Sequence, residues 1–314
     1  MSKVGVVGAG NVGIGIVDAL VMLGIAKEIV FYNRNIDKAL GEVWDINDAV
    51  PLLNGNINVK ATDSLEDLKE CEVIAVTIGA NQEIGESRLE LIEKNSKIMI
   101  SLMKELDVIN IDAKIIIVTN PVDIMTRVAI EHSKRDKRKL FGSGTVLDTI
   151  RLREELGSRL NINRKNIHAF IVGEHGDSEF ALWSVATIGP LLLENFGIEN
   201  FQEMKKEIVT KVRERAYKII EKKGYTKQAI GVAVAKLIKT ILNDEKRIYT
   251  LSTTLTHNCT KIVSDVVLSQ ACILGKDGIE KVLVLDCNAK EFDELKNCIE
   301  VLDKAYKSIS KESK

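Results

Sequence analysis

The first half of the chain alternates short apolar runs with stretches whose apolar residues recur every three or four positions. The runs are rich in β-branched residues and predict buried strands at 4–7, 29–32, 57–59, 73–78 and 115–119, with a short sixth strand at 140–141. The helical spacing predicts helices at 12–23 and 89–106. Apolar strands that alternate with helices are typical of a parallel sheet covered on both faces. The sequence therefore predicts an α/β fold with a doubly wound parallel sheet.

The pattern changes after about residue 143. Helices are predicted at 145–156, 201–223, 228–242 and 290–309, and Gly224 is a typical helix terminator after the second of these. A strand-like run, IHAFIVG, occupies 167–173, and the run 273–286 contains KDGI, which predicts a hairpin turn between two strands. We therefore predict two domains, residues 1–142 and 143–314, the second of them α+β.

The amino-acid composition limits the classes of function that this protein can have. The 314 residues include 44 basic and 45 acidic side chains, so no net charge favours nucleic acid or an anionic membrane surface as a partner. No apolar run approaches the roughly 20 residues that span a bilayer, and the first residues lack the pattern of a signal peptide. Five cysteines without a C-x-x-C pair predict free thiols in a reducing cytoplasm.

A glycine motif follows the first predicted strand. Gly8, Gly10 and Gly13 have the G-x-G-x-x-G spacing, with Asn11 and Val12 inside it, and a predicted helix begins there. Strand, glycines and helix in this order predict a Rossmann-type domain, in which the helix N-terminus binds the pyrophosphate of a dinucleotide. The alternative is a glycine-rich turn without a ligand.

The end of the second strand bears on which dinucleotide is bound. An Asp or Glu at this position usually binds the adenine ribose hydroxyls, but this chain has Asn33 followed by Arg34. An amide does not repel a 2′-phosphate, and Arg34 would attract one. The sequence therefore favours NAD and leaves NADP as an alternative.

Three polar residues in the second half are candidates for catalysis. Asp148 and Arg151 are three positions apart on a predicted helix and project from one face, although an isolated pair of this kind is usually an ordinary helical ion pair. His175, in VGEHGDS, could be a metal ligand, a core histidine or a proton donor. The metal alternative is disfavoured, because the nearest histidine, His168, would face the other side of the predicted strand. We therefore predict no metal site.

Taken together, several stretches resemble the lactate and malate dehydrogenase family over essentially the whole chain. They are the glycine loop, GANQEIGESR at 79–88, TNPVD at 119–123, GSGTVLDTIRLR at 142–153, VGEHGDS at 172–178 and KGYTKQAIG at 223–231, in family order. The resemblance implies an oxidoreductase that transfers a hydride between NAD(P)H and a 2-oxo acid.

Site roles also follow from the resemblance. His175 is implied as the proton donor, Asp148 as the residue that orients it, Arg151 as the ligand of the substrate carboxylate, and Arg88 as the residue that polarises the carbonyl from a closing loop. Asn120 is implied to contact substrate and cofactor, and the cofactor is also implied to contact Gly79 and Ala80.

The choice of substrate depends on Gln82. The matching residue in the family tends to be Arg in malate dehydrogenases and Gln in lactate dehydrogenases, so the resemblance implies pyruvate and L-lactate. Thr226 matches a small residue of the same pocket. Glu83 and Ile84 depart from the common loop pattern, which leaves malate or another L-2-hydroxy acid as alternatives. From a different class, a dinucleotide-binding sensor without catalysis is disfavoured by the intact catalytic residues.

Arg153 and His168 suggest regulation. In bacterial relatives that fructose 1,6-bisphosphate activates, the matching residues bind this effector at a subunit interface, and the resemblance also implies a homotetramer. The alternative is an arginine with a local partner and a surface histidine.

Overall fold

A computed structural model describes residues 2–53, 56–80, 88–255, 264–284 and 287–310. Three segments on which predictions fall lie outside these ranges: 81–87 with Gln82, 256–263 with Cys259, and 285–286. The side chains of Arg88, Ile309 and Ser310 are also outside the description. Within the described ranges the other four cysteines form no disulfide bond, and no helix there has the length and apolar content that a bilayer crossing requires.

The first half forms six parallel strands with helices between them. The strands are β1 (Lys3–Val7), β2 (Glu28–Tyr32), β3 (Asn58–Thr62), β4 (Val73–Val76), β5 (Lys114–Ile117) and β6 (Leu140–Gly142). The helices are α1 (Asn11–Met22), α2 (Ile36–Ala49), α3 (Arg88–Ile109) and α4 (Val122–His132). The strand order β3-β2-β1-β4-β5-β6 reverses direction between β1 and β4. This doubly wound order confirms the predicted fold class and puts a crevice at the carboxyl ends of β1 and β4.

The second half contains four helices and eight strands among the described residues. The helices are α5 (Val146–Leu160), α6 (Phe201–Lys223), α7 (Gln228–Leu242) and α8 (Ala289–Ser310). The short strands are β7 (Ile167–His168), β8 (Ile171–Val172), β9 (Phe180–Ala181), β10 (Thr187–Ile188) and β11 (Leu191–Leu192). The longer strands β12 (Arg247–Thr254), β13 (Val267–Gly275) and β14 (Gly278–Val282) pair antiparallel and join the edge of β6, so one nine-stranded sheet continues through both halves.

Two interpretations of the sequence need correction. The run 167–173 is not one strand, because β7 pairs with β10 whereas β8 pairs with β9 in another sheet. The alternation argument that separated His168 from His175 therefore does not apply. Helices α2 and α4 and strand β12 were also not predicted. In α2 only Ala39 and Val43 are buried, which is too sparse for a clear helical period.

A helix of the second half covers the sheet of the first half. Val234, Leu237 and Ile238 of α7 are fully buried in one apolar cluster with residues of β1, β2 and β4. Helix α7 crosses α1 where Gly15 faces Gly231, and a Cβ atom on Gly231 would overlap the carbonyl oxygen of Gly15. The two helices therefore approach each other at backbone distance, and Lys227 next to α7 forms an ion pair with Asp18 of α1 at 2.8 Å.

Candidate active site

The glycine loop has the conformation that its residues predict. Gly8 has φ of +113°, which favours glycine, and the Thr77 hydroxyl donates to the Gly8 carbonyl oxygen at 3.0 Å. A Cβ on Gly13 would overlap that carbonyl oxygen, so α1 packs against the loop only because residue 13 is glycine. The loop is thereby fixed between β1 and β4, at the point where the strand order reverses.

The space in front of this loop fits a dinucleotide. Among the described residues, a Cβ on Gly10 would meet no atom within 4 Å, and glycine as the N-cap of α1 has no side chain to accept the first N–H groups of the helix. The backbone N–H groups there face an open position where a pyrophosphate is favoured. A cavity of about 840 Å³ continues from the loop past the ends of β2 and β4. Residues that line it include Gly8, Gly10, Asn33, Arg34, Lys38, Gly79 and Ala80.

Asn33 supports the loop from the end of β2. Its Oδ1 accepts a hydrogen bond from the Ala9 N–H at 3.1 Å, and its Nδ2 donates to the Asn35 carbonyl at 2.8 Å. Arg34 is exposed at the same cavity, and Lys38 follows on α2. The adenine end of the cavity therefore presents an amide and two cations, without a carboxylate at the position of residue 33.

His175 is hydrogen-bonded through its ring to Asp148. The histidine lies in the loop between β8 and β9, and its Nδ1 is 2.7 Å from Asp148 Oδ2 on α5. Burial alone would lower the pKa of the imidazole, but the adjacent Asp148 carboxylate raises the pKa to about 9. Although burial of Asp148 opposes its ionisation, His175 and Arg151 hold the pKa of its carboxyl below the usual range. The pair therefore carries a proton on the imidazole at neutral pH.

Two threonines fix α5 against this loop. The Thr145 hydroxyl donates to the Ile171 carbonyl at 2.6 Å, and the Ile171 N–H donates to the Thr149 hydroxyl at 3.0 Å. Both threonines are buried, Thr145 as the N-cap of α5 and Thr149 in its first turns, on either side of the position from which Asp148 reaches the imidazole. These bonds therefore fix β8 relative to α5 immediately before the loop that contains His175.

Arg151 shares Asp148 with the histidine. Its Nη1 donates to Asp148 Oδ1 at 2.9 Å, so the two residues do project from one face of the helix, as their spacing predicts. This bond leaves the Nε–Nη2 edge of the guanidinium, which has the geometry for two parallel bonds to a carboxylate. Asp148 thus connects the imidazole of His175 and the guanidinium of Arg151 through its two oxygens.

A second carboxylate fixes the backbone of the same histidine. Asp123 of α4 is 2% exposed, and its Oδ2 accepts the His175 backbone N–H at 2.7 Å while its Oδ1 accepts the Ser252 hydroxyl at 2.5 Å. Burial raises the pKa of Asp123 to about 6, against the effect of these two donors. Asp123 therefore joins α4, β12 and the histidine loop. The sequence indicated no such role, because an acid in the first turn of a helix usually only complements its dipole.

Glu179 is a third acid near the imidazole. In the described part of the chain, ligand-type atoms of Asp148, His175 and Glu179 lie within 4.8 Å of one another, which is a geometry that could also hold a metal ion. Asp148 is already engaged by the imidazole and by the Arg151 cation. No motif in the sequence indicated Glu179.

The other predicted site residues occupy several loops. Asn120 is exposed between β5 and α4, and Thr226 is half-buried between α6 and α7. The Ala80 N–H donates to Asn95 of α3 at 2.7 Å, which fixes the chain immediately before the undescribed segment 81–87. Arg88 begins α3, and Gln82 lies outside the described residues.

Arg153 points away from the histidine. Its Nε donates to the Ala169 carbonyl at 3.0 Å and its guanidinium lies 5.0 Å from the centre of the Phe170 ring, whereas Arg151 contacts Asp148. Burial lowers the pKa of Arg153, and the nearby Arg247 cation adds to this effect. His168 is exposed next to Ala169. Arg247, which the sequence did not single out, adds a cation to this region.

Comparisons with known proteins agree across the chain. Residues 2–142 match the family model described as lactate/malate dehydrogenase, NAD binding domain, and residues 145–313 match that of the lactate/malate dehydrogenase alpha/beta C-terminal domain. An L-lactate dehydrogenase of Thermoanaerobacterium saccharolyticum is 40% identical over 313 residues, which cover 98% of this chain and 99% of that protein. One of Clostridium botulinum (strain Loch Maree / Type A3) is 38% identical, with 98% and 97% covered.

Solved structures are similar over the same extent. A lactate dehydrogenase, MGS-M5, from a Medee basin deep-sea metagenome library superposes with a TM-score of 0.93 at 34% identity, covering 98% of this chain and 99% of that one. The minor L-lactate dehydrogenase from Enterococcus mundtii, in its ligands-bound form, also gives 0.93, at 29% identity with 98% of each chain covered.

Asp123→Ala is expected to destabilise the histidine loop. The variant leaves the His175 N–H buried without its acceptor, which costs about 1–3 kcal/mol in the free energy of unfolding. Asp123→Asn is the matched control, because its Oδ1 can accept the His175 N–H while its Nδ2 donates to a reoriented Ser252 hydroxyl. Urea unfolding and hydrogen exchange of the loop amides measure both variants. Equal stability of Asp123→Ala and wild type would contradict the role of this bond.

Proposed function

Because the chain belongs to the lactate/malate dehydrogenase family, we propose that it catalyses the reversible reduction of pyruvate to L-lactate with NADH. The observation that carries this proposal is the contact of Asp148 with both His175 and Arg151. A proton donor and a carboxylate ligand held by one acid, in a fold with a dinucleotide loop, match the needs of 2-oxo acid reduction. Such a reaction requires a hydride at carbon, a proton at oxygen and a cation for the carboxylate.

His175 is the proposed acid and base. When bound at the glycine loop, NADH supplies the hydride that reduces the carbonyl carbon. The protonated imidazole donates its Nε2 proton to the carbonyl oxygen, and the ring becomes neutral until it takes a proton from solvent. Asp148 keeps Nδ1 protonated throughout and stabilises the imidazolium before transfer. In the oxidation of lactate the same nitrogen accepts the proton, so that direction requires the neutral ring.

Arg151 is the proposed ligand of the substrate carboxylate. Its free edge would form two parallel bonds, which fix the orientation of the substrate as well as its charge. Because Asp148 contacts both His175 and Arg151, the carbonyl and the carboxylate of the substrate would be held in fixed positions relative to each other. A displacement of about 1 Å at such a site is costly for the rate.

Four further residues complete the proposal. By family resemblance, Arg88 polarises the carbonyl, Asn120 contacts substrate and cofactor, and Gln82 and Thr226 line the far end of the substrate. A neutral Gln82 favours the methyl group of pyruvate over the second carboxylate of oxaloacetate, since an unpaired charge in a closed site is unfavourable. Malate and longer 2-hydroxy acids remain the alternatives.

The adenine end of the cavity bears on the cofactor. NAD is the cofactor of the family's first domain, and the cavity from Gly8 to Ala80 accommodates its pyrophosphate and ribose. Asn33 does not repel a 2′-phosphate, and Arg34 and Lys38 lie beside it. We therefore propose that NADPH is accepted as a second, weaker cofactor.

Arg153 and His168 support an effector site and an assembly. Arg153 and Arg247 place two cations near the exposed His168, which suits the two phosphates of fructose 1,6-bisphosphate. Large apolar side chains are exposed on the elements that carry the two arginines, namely Ile150 of α5 and Ile248 of β12. Leu191 of β11, which belongs to the same small sheet as the strand of His168, is also exposed. An exposed apolar surface around a cationic site favours an interface between subunits, and the family resemblance implies a homotetramer. The cytoplasm remains the predicted location.

The substrate proposal is tested by following the absorbance of NADH and NADPH with pyruvate, oxaloacetate and 2-oxoisocaproate. The wild type is expected to have the highest kcat/KM with NADH and pyruvate, and a preference for NADH over NADPH below a thousandfold. Gln82→Arg is expected to raise the ratio of oxaloacetate to pyruvate activity by more than tenfold. Gln202→Arg, which adds the same charge on exposed α6, should leave that ratio unchanged. Faster reduction of oxaloacetate by the wild type would reject pyruvate as the substrate.

The pH dependence follows from the pKa of His175 near 9. Because the imidazolium is present below this value and lost above it, kcat/KM for pyruvate should be constant to about pH 9 and then fall about tenfold per unit. Lactate oxidation should rise with pH over the same range. In Asp148→Asn the largest cause of the raised pKa is removed, so the decline for pyruvate should begin at a clearly lower pH than in wild type. Coincident profiles for this variant and wild type would exclude Asp148 as the partner of the proton donor.

The effector proposal is tested by adding fructose 1,6-bisphosphate. It is expected to lower the KM for pyruvate several-fold at both pH 6 and pH 8, because the Arg153 and Arg247 cations attract its two phosphates. Arg153→Gln should abolish the effect, whereas Arg159→Gln, which removes an exposed charge from the same helix, should retain it. Light scattering gives the subunit number in each case. An unchanged KM at both pH values would refute the site.

A further inference from the structure

Glu179 is a buried acid that the proposed reaction does not use. It immediately precedes β9, its residue surface is 2% exposed, and among the described residues its Oε1 has no hydrogen-bond partner. Ionisable side chains are rarely buried in this way unless they are paired, because the charged form loses its hydration. The carboxyl group nevertheless lies within 4.8 Å of the Asp148–His175 pair.

The backbone of Glu179 is held on two sides. Its N–H donates to the Gly176 carbonyl at 3.2 Å, and its own carbonyl accepts a hydrogen bond from Arg213 of α6. The next residue, Phe180, pairs with Val172 of β8. These contacts fix the chain on both sides of the side chain, so the carboxyl group is held beside the imidazole by the fold.

The charges that face this carboxyl group come from three elements. Helix α5 contributes Asp148 and Arg151, the histidine loop contributes His175, and α6 contributes Arg213. Asp123 of α4 is a further acid that faces His175. Arg151 donates to Asp148 and Arg213 donates to a backbone carbonyl, and among the described residues neither cation donates to Glu179 Oε1, which has no hydrogen-bond partner.

A carboxyl group in these surroundings retains its proton above its usual pKa. Burial raises the pKa of Glu179 to about 8, the Asp148 carboxylate adds to the rise, and His175 and the two arginines oppose it. The group is therefore neutral in mildly acidic solution and becomes an anion just below the pH at which His175 loses its proton.

We propose that Glu179 is a positioning residue for the charge of His175: its buried carboxylate, within 4.8 Å of the imidazole, keeps the ring protonated over a wider pH range than Asp148 alone. Glu179 releases its proton to solvent and forms no covalent bond. The inference rests on the proposed function, since it concerns the proton donor of that reaction. Its consequence is that pyruvate reduction continues into alkaline solution, while lactate oxidation begins only at higher pH.

Glu179→Gln tests this inference, because it keeps the shape of the side chain and removes its ionisation. The midpoints of the pH profiles for pyruvate reduction and for lactate oxidation should both move to lower pH, by roughly one to two units for a charge at this distance. Below pH 7, where Glu179 is already neutral, kcat/KM for pyruvate should stay within about twofold of wild type. Unmoved midpoints would overturn the proposal.

A structural role of Glu179 gives a different result. It would lower the rate equally at all pH values and leave the midpoints in place, which also overturns the proposal. Glu291→Gln is the matched control, since Glu291 is another buried carboxyl group, 2% exposed, that accepts hydrogen bonds from Ser184 and caps α8. This variant is expected to lose stability without any shift of either midpoint.

Infrared spectroscopy measures the proton of Glu179 without an assay. In protein labelled with ¹³C-glutamate, the Glu294→Gln background removes the other glutamate whose burial raises its pKa among the residues that the structure describes. A carboxylic acid band of buried glutamate should then disappear between pH 7 and 9. Its absence at pH 7 would overturn the proposal even if Glu179→Gln did not fold. Inactivity of the wild type with pyruvate would reject the proposed function, while the infrared titration would still decide the state of Glu179.

Discussion

The site depends on the way in which two acids hold one histidine. Asp123 accepts the backbone N–H of His175 and Asp148 accepts its ring N–H, so both the position of the loop and the rotation of the imidazole are fixed. The acids come from different helices, α4 and α5, and Ser252 connects the first of them to β12. Through these two acids, His175 is connected to α4, to α5 and, by way of Ser252, to β12. Each bond also involves a buried charge, which makes it stronger than the same bond at the surface and makes its loss more costly.

The fold was predicted correctly where the residue pattern within a single segment determines its secondary structure. Strand β4 is apolar throughout, and β1, β2 and β5 are apolar after one charged first residue. Helices α6 and α7 were predicted with their observed ends, the first helped by the terminating Gly224. Helix α2 was missed because it buries only Ala39 and Val43. The run 167–173 was read as one strand because its apolar residues are continuous, whereas the partners that divide it into β7 and β8 lie elsewhere in the chain. The predicted boundary at residue 143 stays a prediction.

The same distinction holds for the site. The sequence indicated Asp148 and Arg151 because three positions on a helix define a common face, and the glycine loop because its spacing is local. Asp123 and Glu179 were not assigned roles because their importance comes from burial beside residues of other segments. Asn33 is a third case. The sequence suggested that it contacts a ligand, and the structure shows in addition that it braces the glycine loop by accepting a hydrogen bond from Ala9. An amide suits that brace, since it accepts from Ala9 and donates to Asn35 with one side chain, and a carboxylate could not make the second bond.

The packing of α7 over the first-half sheet has a consequence for biosynthesis. The apolar face of β1, β2 and β4 is covered partly by Val234, Leu237 and Ile238, which are made long after the strands themselves. About 100 residues separate the end of β6 from the end of α7, so at typical translation speeds the nascent sheet waits roughly 5 to 20 s for its cover. During that interval the incomplete face is a surface on which a chaperone or another nascent chain can bind. The nucleotide-binding half is therefore a unit of sequence and of function, but its core is completed only when the other half has been synthesised.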